Sequence, residues 1–222
     1  VAIGHAAGSA MTTSEKNVIV GKDAGLVKAA ASNRGVHIGF ESAKGLTTGS
    51  DILSIGYQSY LAADTETHNL AIGRAALGGA INGGEYNTAI GNFTLDALTS
   101  GDNNTAIGYN AGSGLTSGSK NTFLGENASS NAAVTGDANT VIGYNAGFAL
   151  TGATNNVIIG HLAGDALQTG SSNTIIGDNA VGVGVLTGGN NVVMGRNAGE
   201  DLTSAASNVI IGVDAAKQGT TS

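Results

Sequence analysis

The stretch Asn104-Thr-Ala-Ile-Gly-Tyr-Asn-Ala-Gly112 decides the fold, because variants of it return along the whole chain. In every copy an aliphatic residue precedes a glycine, and successive glycines are separated by 17, 18 and 17 residues in a repeating triplet. A fixed period of this kind is the signature of a repeat architecture. We therefore predict 13 stacked units, called rungs below, in one repeat domain over residues 1–222, with the glycine of each rung at position 0. The glycines are Gly4, Gly21, Gly39, Gly56, Gly73, Gly91, Gly108, Gly125, Gly143, Gly160, Gly177, Gly195 and Gly212.

Each rung carries one short run of Ile, Val and Thr between an asparagine and the glycine, which is typical of a strand. Glycine every few residues disfavours a helix, and a rung of 17 to 18 residues is too short for a strand–helix crossover of about 30 residues. The sequence therefore predicts an all-β fold. It is a parallel β-solenoid, either a β-helix or a β-roll, of about 13 rungs stacked about 4.8 Å apart.

Four positions of the rung carry recurring residue types. Position −1 is aliphatic in all 13 rungs, as at Ile107 and Ile142, and we predict that it fills the inside of the coil. Position +3 is small and position +7 is often Leu. Position −4 is Asn in most rungs, with Gly35 and Ile52 as exceptions, and it predicts either a ladder of side-chain amides along the stack or a simple turn.

Position −2 is also mostly apolar, although it lies on the opposite strand face from position −1. A strand that is apolar on both faces is buried on both. We therefore predict that this column packs against other copies of the chain; a wider coil with both columns inside is the alternative. His37 and Ser54 are its polar members. The predicted contact residues are Ala106, Phe123, Val141, Ile158, Ile175, Val193 and Ile210.

Composition excludes several classes of function. The chain has 222 residues with 37 Gly, no Cys and a net charge of −7, which argues against thiolate metal sites and against a basic face for nucleic acid. No apolar run approaches the roughly 18 residues of a membrane-inserted span. His5 and His161 share a position of the rung but lie nine rungs apart, so we predict no metal site. No nucleotide-binding or zinc motif occurs, and we predict no cofactor and no enzymatic activity.

From Asn104 to Gly112 the sequence resembles two related groups of proteins. One group is the head repeats of trimeric autotransporter adhesins, with an Asn-x-x-Ala-Ile-Gly-x-x-Ala pattern. The other is bacteriophage tail fibres, with a longer Asn-Thr-Ala-Ile-Gly-x-x-Ala-Gly repeat that is closer in length. The resemblance implies a homotrimer, intertwined or side by side, with a shaft or adhesive role. Copies of the motif begin at Asn87, Asn121, Asn139, Asn156, Asn173, Asn191 and Asn208.

We accordingly expect a structural shaft or adhesin segment of a bacteriophage tail fibre, located on the virion and contributing to attachment to the host surface. The chain starts and stops within a rung, so we expect a fragment of a longer fibre. A bacterial surface adhesin head that binds a glycan or matrix protein is one alternative, with the variable position +1, including Tyr109 and Tyr144, as the candidate contact.

An ice-binding solenoid is another alternative, because Thr recurs at position −3. Since those threonines share a strand face with the aliphatic position −1, we expect them to point inward, which argues against it. Thermal hysteresis separates this alternative from the others.

Overall fold

The computed structural model describes residues 1–11, 15–26, 33–62, 65–131, 133–183, 185–204 and 206–216. The described residues form a parallel β-solenoid with one strand per rung, as predicted. The strands are β1 (Ala2–Ile3), β2 (Val18–Val20), β3 (Val36–Ile38), β4 (Leu53–Ile55), β5 (Leu70–Ile72), β6 (Thr88–Ile90), β7 (Thr105–Ile107), β8 (Thr122–Leu124), β9 (Thr140–Ile142), β10 (Val157–Ile159), β11 (Thr174–Ile176), β12 (Val192–Met194) and β13 (Val209–Ile211). The 13 strands make a single sheet in sequence order.

Every strand pairs in parallel with the next, and equal positions of successive rungs lie side by side. Ala106 of β7, for example, is the partner of Ala89 in β6 and of Phe123 in β8. The backbone bonding continues beyond the strands, since the Asn110 N–H donates to Asn92 O of the rung before and the Gly112 N–H donates to Ala128 O of the rung after. Each rung therefore bonds its neighbours on both sides, which fixes the register that the glycine spacing predicts.

The glycine at position 0 is where the chain leaves the strand. Its φ lies between +131° and +142° in all 13 rungs, a conformation that residues with a side chain rarely adopt. A Cβ on Gly108 would lie 2.6 Å from the carbonyl oxygen of Gly125 in the next rung. Backbone shape and close stacking both require glycine here, which explains why this residue never varies along the repeat.

The position −2 column lies inside the coil, and the prediction of which strand face is internal was therefore wrong. Ala106, Phe123, Val141, Ile158, Ile175 and Val193 are fully buried within their own chain, and Ile210 packs partly buried against the same core. The middle residue of a three-residue strand points inward, so positions −3 and −1 point outward. Ile107 is 37% exposed and Leu124 is 42% exposed. The wider coil with both columns inside is wrong for the same reason.

The rest of the core comes from the turns of each rung. Small residues at position +3, such as Ala111, and leucines at position +7, such as Leu98 and Leu115, are fully buried. They pack with the position −2 column into one continuous core along the rod. Small side chains at position +3 keep this core narrow.

The asparagines at position −4 form a buried ladder, which confirms one of the two readings of this position. Asn104 donates from its backbone N–H and from its Nδ2 to Oδ1 of Asn87, at 2.9 and 3.0 Å, and its Nδ2 also donates to Gly118 O at 2.9 Å. Asn121 repeats the arrangement on Asn104. Each amide thus satisfies buried backbone groups of two rungs, and the ladder continues to Asn208.

The two interruptions of the ladder coincide with the two polar residues of the inner column. At Gly35 a Cβ would lie 2.4 Å from Nε2 of His37, so the imidazole lies beside the space that an asparagine side chain fills in other rungs. In the next rung Ile52 replaces the asparagine, and the Ser54 hydroxyl bonds the hydroxyl of Ser42 at 2.8 Å. Positions −4 and −2 share one interior space, and their exceptions compensate each other.

Candidate functional site

The outer face of the sheet, formed by positions −3 and −1 of each strand, is the most regular surface of the described structure. Its Thr column runs in register through Thr88, Thr105, Thr122 and Thr140, and Val157 continues it. The aliphatic column beside it runs through Ile90, Ile107, Leu124, Ile142 and Ile159. Neighbouring side chains are spaced about 4.8 Å along the rod and about 6.6 Å across the strand.

This face is large for a solvent-exposed apolar surface. Twelve rung spacings make it roughly 60 Å long, and a three-residue strand makes it about 10 Å wide. An area of roughly 600 Å² is at the upper end of the largest apolar patches on monomeric proteins. Its residues are half-buried by their own neighbours, and Val209 and Ile211 at the last strand are 73% and 65% exposed. This face was not predicted from the sequence, because positions −3 and −1 were both expected to point inward.

The edge column, formed by position +1 of each rung, borders the outer face where the chain leaves the strand. In the first half of the rod its side chains touch from rung to rung. The Lys22 ammonium lies 5.7 Å from the Phe40 ring centre, and Phe40 and Tyr57 stack with centres 5.3 Å apart. The Arg74 guanidinium follows, 5.6 Å from the Tyr57 ring and 5.2 Å from the ring of Phe93, a position +2 residue. Such contacts hold long side chains in one conformation.

The predicted glycan contact at the edge column stays a prediction. Tyr109 and Tyr144 are 49% and 45% exposed, which agrees with their outward assignment. However, Tyr144 stacks on His161 with ring centres 5.5 Å apart, and Phe93 packs against Tyr109 at 6.1 Å in an edge-to-face contact. Part of the ring surface on which a sugar would stack is therefore already covered by neighbouring rungs.

Charged side chains in the described part of the chain form scattered pairs. Arg34 donates two hydrogen bonds of 2.6 Å to Asp51, and these bonds hold the pKa of that carboxyl below its usual value. His161 Nδ1 lies 2.7 Å from Asp178 Oδ1. Within the described ranges no group of three or more His, Cys, Asp or Glu side chains is arranged to hold a metal ion.

Glu66 is the acidic residue that is nearly fully buried among the described residues, and its side chain accepts a hydrogen bond from the Gly83 N–H. Asp96 and Asp165 are partly buried at the turns of their rungs, and burial raises the pKa of both side chains. They lie four rungs apart at the same position of the repeat, so they cannot act together on one substrate. No helix of sufficient length and apolarity to cross a membrane occurs in the described residues. Comparison with protein-family models, with curated proteins and with solved structures found no match to this chain.

Proposed function

We propose that this chain is a structural segment of a fibre whose copies associate laterally through the outer face of the sheet. The observation that carries the proposal is the continuous column of half-exposed aliphatic side chains at position −1, from Val20 to Ile211. Association removes this stripe from water, and burial of apolar area is the dominant favourable term in such contacts. The contact face is the opposite strand face from the one that the sequence predicted.

The resemblance favours a more specific form of this proposal. Three copies associate around one axis, and the fibre is a bacteriophage tail fibre that contributes to host attachment. Closed rotational symmetry covers the apolar face of every copy and leaves no unpaired apolar face exposed. A bacterial adhesin head would use the same assembly and differ in what its exposed edges bind. Each rung bonds only to its neighbours, and one core runs along the rod. This construction suits a fibre shaft, because the rod can be lengthened by adding rungs.

The experiment is multi-angle light scattering of the chain at micromolar concentration, with a mass of three copies as the expected result. Ile159→Lys combined with Ile176→Lys should abolish the three-copy mass, because like charges would crowd a water-free contact. The control is Gln168→Lys combined with Thr203→Lys, which adds the same charge at exposed positions away from the outer face. A monodisperse wild-type monomer would overturn lateral association.

Ice binding is the second candidate, and the outward direction of the Thr column is the observation that favours it. The threonines of this column do not face the core as the sequence predicted. They lie half-exposed on the outer face, as at Thr88, Thr105, Thr122 and Thr140. Hydroxyl and methyl groups repeated at regular spacings along a sheet offer ordered water a periodic template. Val157, Val192 and Val209 interrupt the hydroxyl column in the second half of the rod.

The two candidates exclude each other on the same molecule, because lateral association covers the face that ice would need. Thermal hysteresis in the wild-type chain, lost in Thr105→Lys and retained in Gln168→Lys, would support ice binding. Absence of hysteresis from a soluble monomer would exclude it.

A further inference from the structure

The edge column carries five acidic or basic side chains, and four of them recur at every third rung with two cations before two anions. Arg196 is the fifth and lies outside this series, one rung after Asp178. Lys22 and Arg74 lie in its first half, and Glu126 and Asp178 lie in its second half, each 52 residues from the next. All four are exposed. The superperiod of three rungs places these four residues at the same position of the repeat, with two cations followed by two anions.

The row becomes complementary to itself when one copy is turned end for end. A twofold axis between β6 and β7 places the rung of Arg74 opposite the rung of Glu126 in the other copy. The same operation places Lys22 opposite Asp178. Two ion pairs of each kind would form, because each pair occurs twice in a symmetric contact.

Two stacked ring pairs of the edge column obey the same symmetry, whereas Tyr109 comes opposite Asn92 and His5 comes opposite Arg196. The stacked pair Phe40 and Tyr57, with centres 5.3 Å apart and planes 11° from parallel, comes opposite the stacked pair Tyr144 and His161. The second pair has nearly the same geometry, with centres 5.5 Å apart and planes 15° from parallel. Tyr57 of one copy thus faces Tyr144 of the other. Tyr side chains of this kind are enriched at contacts between proteins.

Arg74 and Glu126 are the two charged residues that would gain a salt-bridge partner in this arrangement. Arg74 is held between the rings of Tyr57 and Phe93, and within the described part of the chain neither Arg74 nor Glu126 forms a salt bridge. A guanidinium between two rings keeps its N–H edge free to bind a carboxylate in a forked geometry. Contact with both rings restricts the conformations of this side chain, so less side-chain entropy is lost on association.

We propose that the edge column is a self-complementary interface on which two copies of this chain pack side by side in opposite directions. Charge complementarity selects the antiparallel direction, since parallel packing in register sets Arg74 against Arg74 and Glu126 against Glu126. The contact is separate from the outer face of the sheet, so it would join rods, or bundles of rods, into antiparallel pairs.

The first test uses the absence of cysteine from the chain. Tyr57→Cys protein mixed with Tyr144→Cys protein under mild oxidation should form the mixed disulfide dimer at least tenfold faster than either variant forms its own. Gln168→Cys, on a different side of the rung, sets the background rate of random encounter. Equal rates for mixed and self-paired dimers, or rates no higher than that background, would overturn the proposal.

The second test exchanges charges. Arg74→Glu should weaken the antiparallel dimer at least tenfold in sedimentation at low salt, and adding Glu126→Arg to it should restore the dimer. Lys120→Glu makes the same charge change outside the column and should leave the dissociation constant unchanged. Failure of the double exchange to restore association in a folded protein would overturn the proposal. Lateral association through the outer face is tested independently, because Ile159→Lys with Ile176→Lys leaves the edge column intact.

Discussion

Ile158 and Ile159 are neighbours in β10 that place the same side chain on opposite faces of the sheet, and they test the orientation of the whole sheet. Ile158 is fully buried in the core, whereas Ile159 lies half-buried on the outer face. We expect Ile158→Ala to lower the free energy of unfolding by about 2 to 5 kcal/mol, since it leaves a cavity that the stacked rungs cannot close.

Ile159→Ala removes the same three carbon atoms from a face that is half in water. At about 0.8 kcal/mol for each fully buried methylene, half-burial gives a loss of about 1 kcal/mol. The assay is urea unfolding followed by far-UV circular dichroism at submicromolar concentration, because the chain has no tryptophan to report by fluorescence. The m-values should match between the variants, which confirms that the midpoints report stability.

Equal losses for the two variants, or a larger loss for Ile159→Ala at low concentration, would refute the orientation described above. Protein concentration supplies a second readout. If copies associate through the outer face, the cost of Ile159→Ala rises with concentration, because association stabilises only the folded wild type. The cost of Ile158→Ala should show no such dependence.

Three further predictions concern the interior, the stacking and pH. Gly35→Asn and His37→Val should each lower the free energy of unfolding. The double variant should recover about 1 to 3 kcal/mol of the summed loss, because the new amide fits only when the imidazole is gone. Additive losses in thermal unfolding would contradict this. Gly108→Ala should cost about 1 to 3 kcal/mol through its φ of +137° and its contact with the next rung, while Gly152→Ala, where a Cβ meets nothing within 4 Å, should be neutral or slightly stabilising. Burial raises the pKa of Asp96, so its folded state favours the protonated form and loses stability as pH rises through that pKa. Asp96→Asn should therefore raise the melting temperature at pH 7 and leave it unchanged near pH 3, and a gain of equal size at both pH values would contradict the assignment.

The rungs, their number and the single strand in each followed from the sequence because a solenoid stacks identical positions. The close contact between Gly108 and Gly125 requires glycine, and the same contact recurs in every rung. The glycine therefore recurs in the sequence at the period of the rung. The amide ladder was predictable on the same ground. Its continuity from Asn69 to Asn208 arises because each buried amide needs its neighbour as a hydrogen-bond partner.

The orientation of the strands could not be obtained from apolarity, because positions −2 and −1 are both apolar and alternation only says that they face opposite ways. A signal was present in the exceptions. Gly35 occurs with His37, and Ile52 occurs with Ser54, so departures at position −4 accompany departures at position −2 in the same rungs. Residues that change together in this way share one space, and since the asparagine ladder is internal, position −2 is internal as well. The series Lys22, Arg74, Glu126 and Asp178 was equally visible in the sequence, but its meaning depends on knowing that position +1 is exposed along one edge of the sheet.

The distribution of side-chain size between the two strand faces is the strongest physical argument for a covered outer face. In β5, β6 and β7 the fully buried residue is alanine, while the half-exposed residue beside it toward the C-terminus is isoleucine. An isolated rod would be more stable with its larger aliphatic groups inside, since each buried methylene contributes about 0.8 kcal/mol. In these three rungs the interior is kept narrow by alanine, and about three methylene equivalents per rung are placed outside instead. In β8 to β12 the buried residue is itself large, yet the outer residue at position −1 stays aliphatic. This outer apolar area stabilises the molecule fully only when the outer face meets another surface, and the position −1 column is therefore where a partner surface is expected.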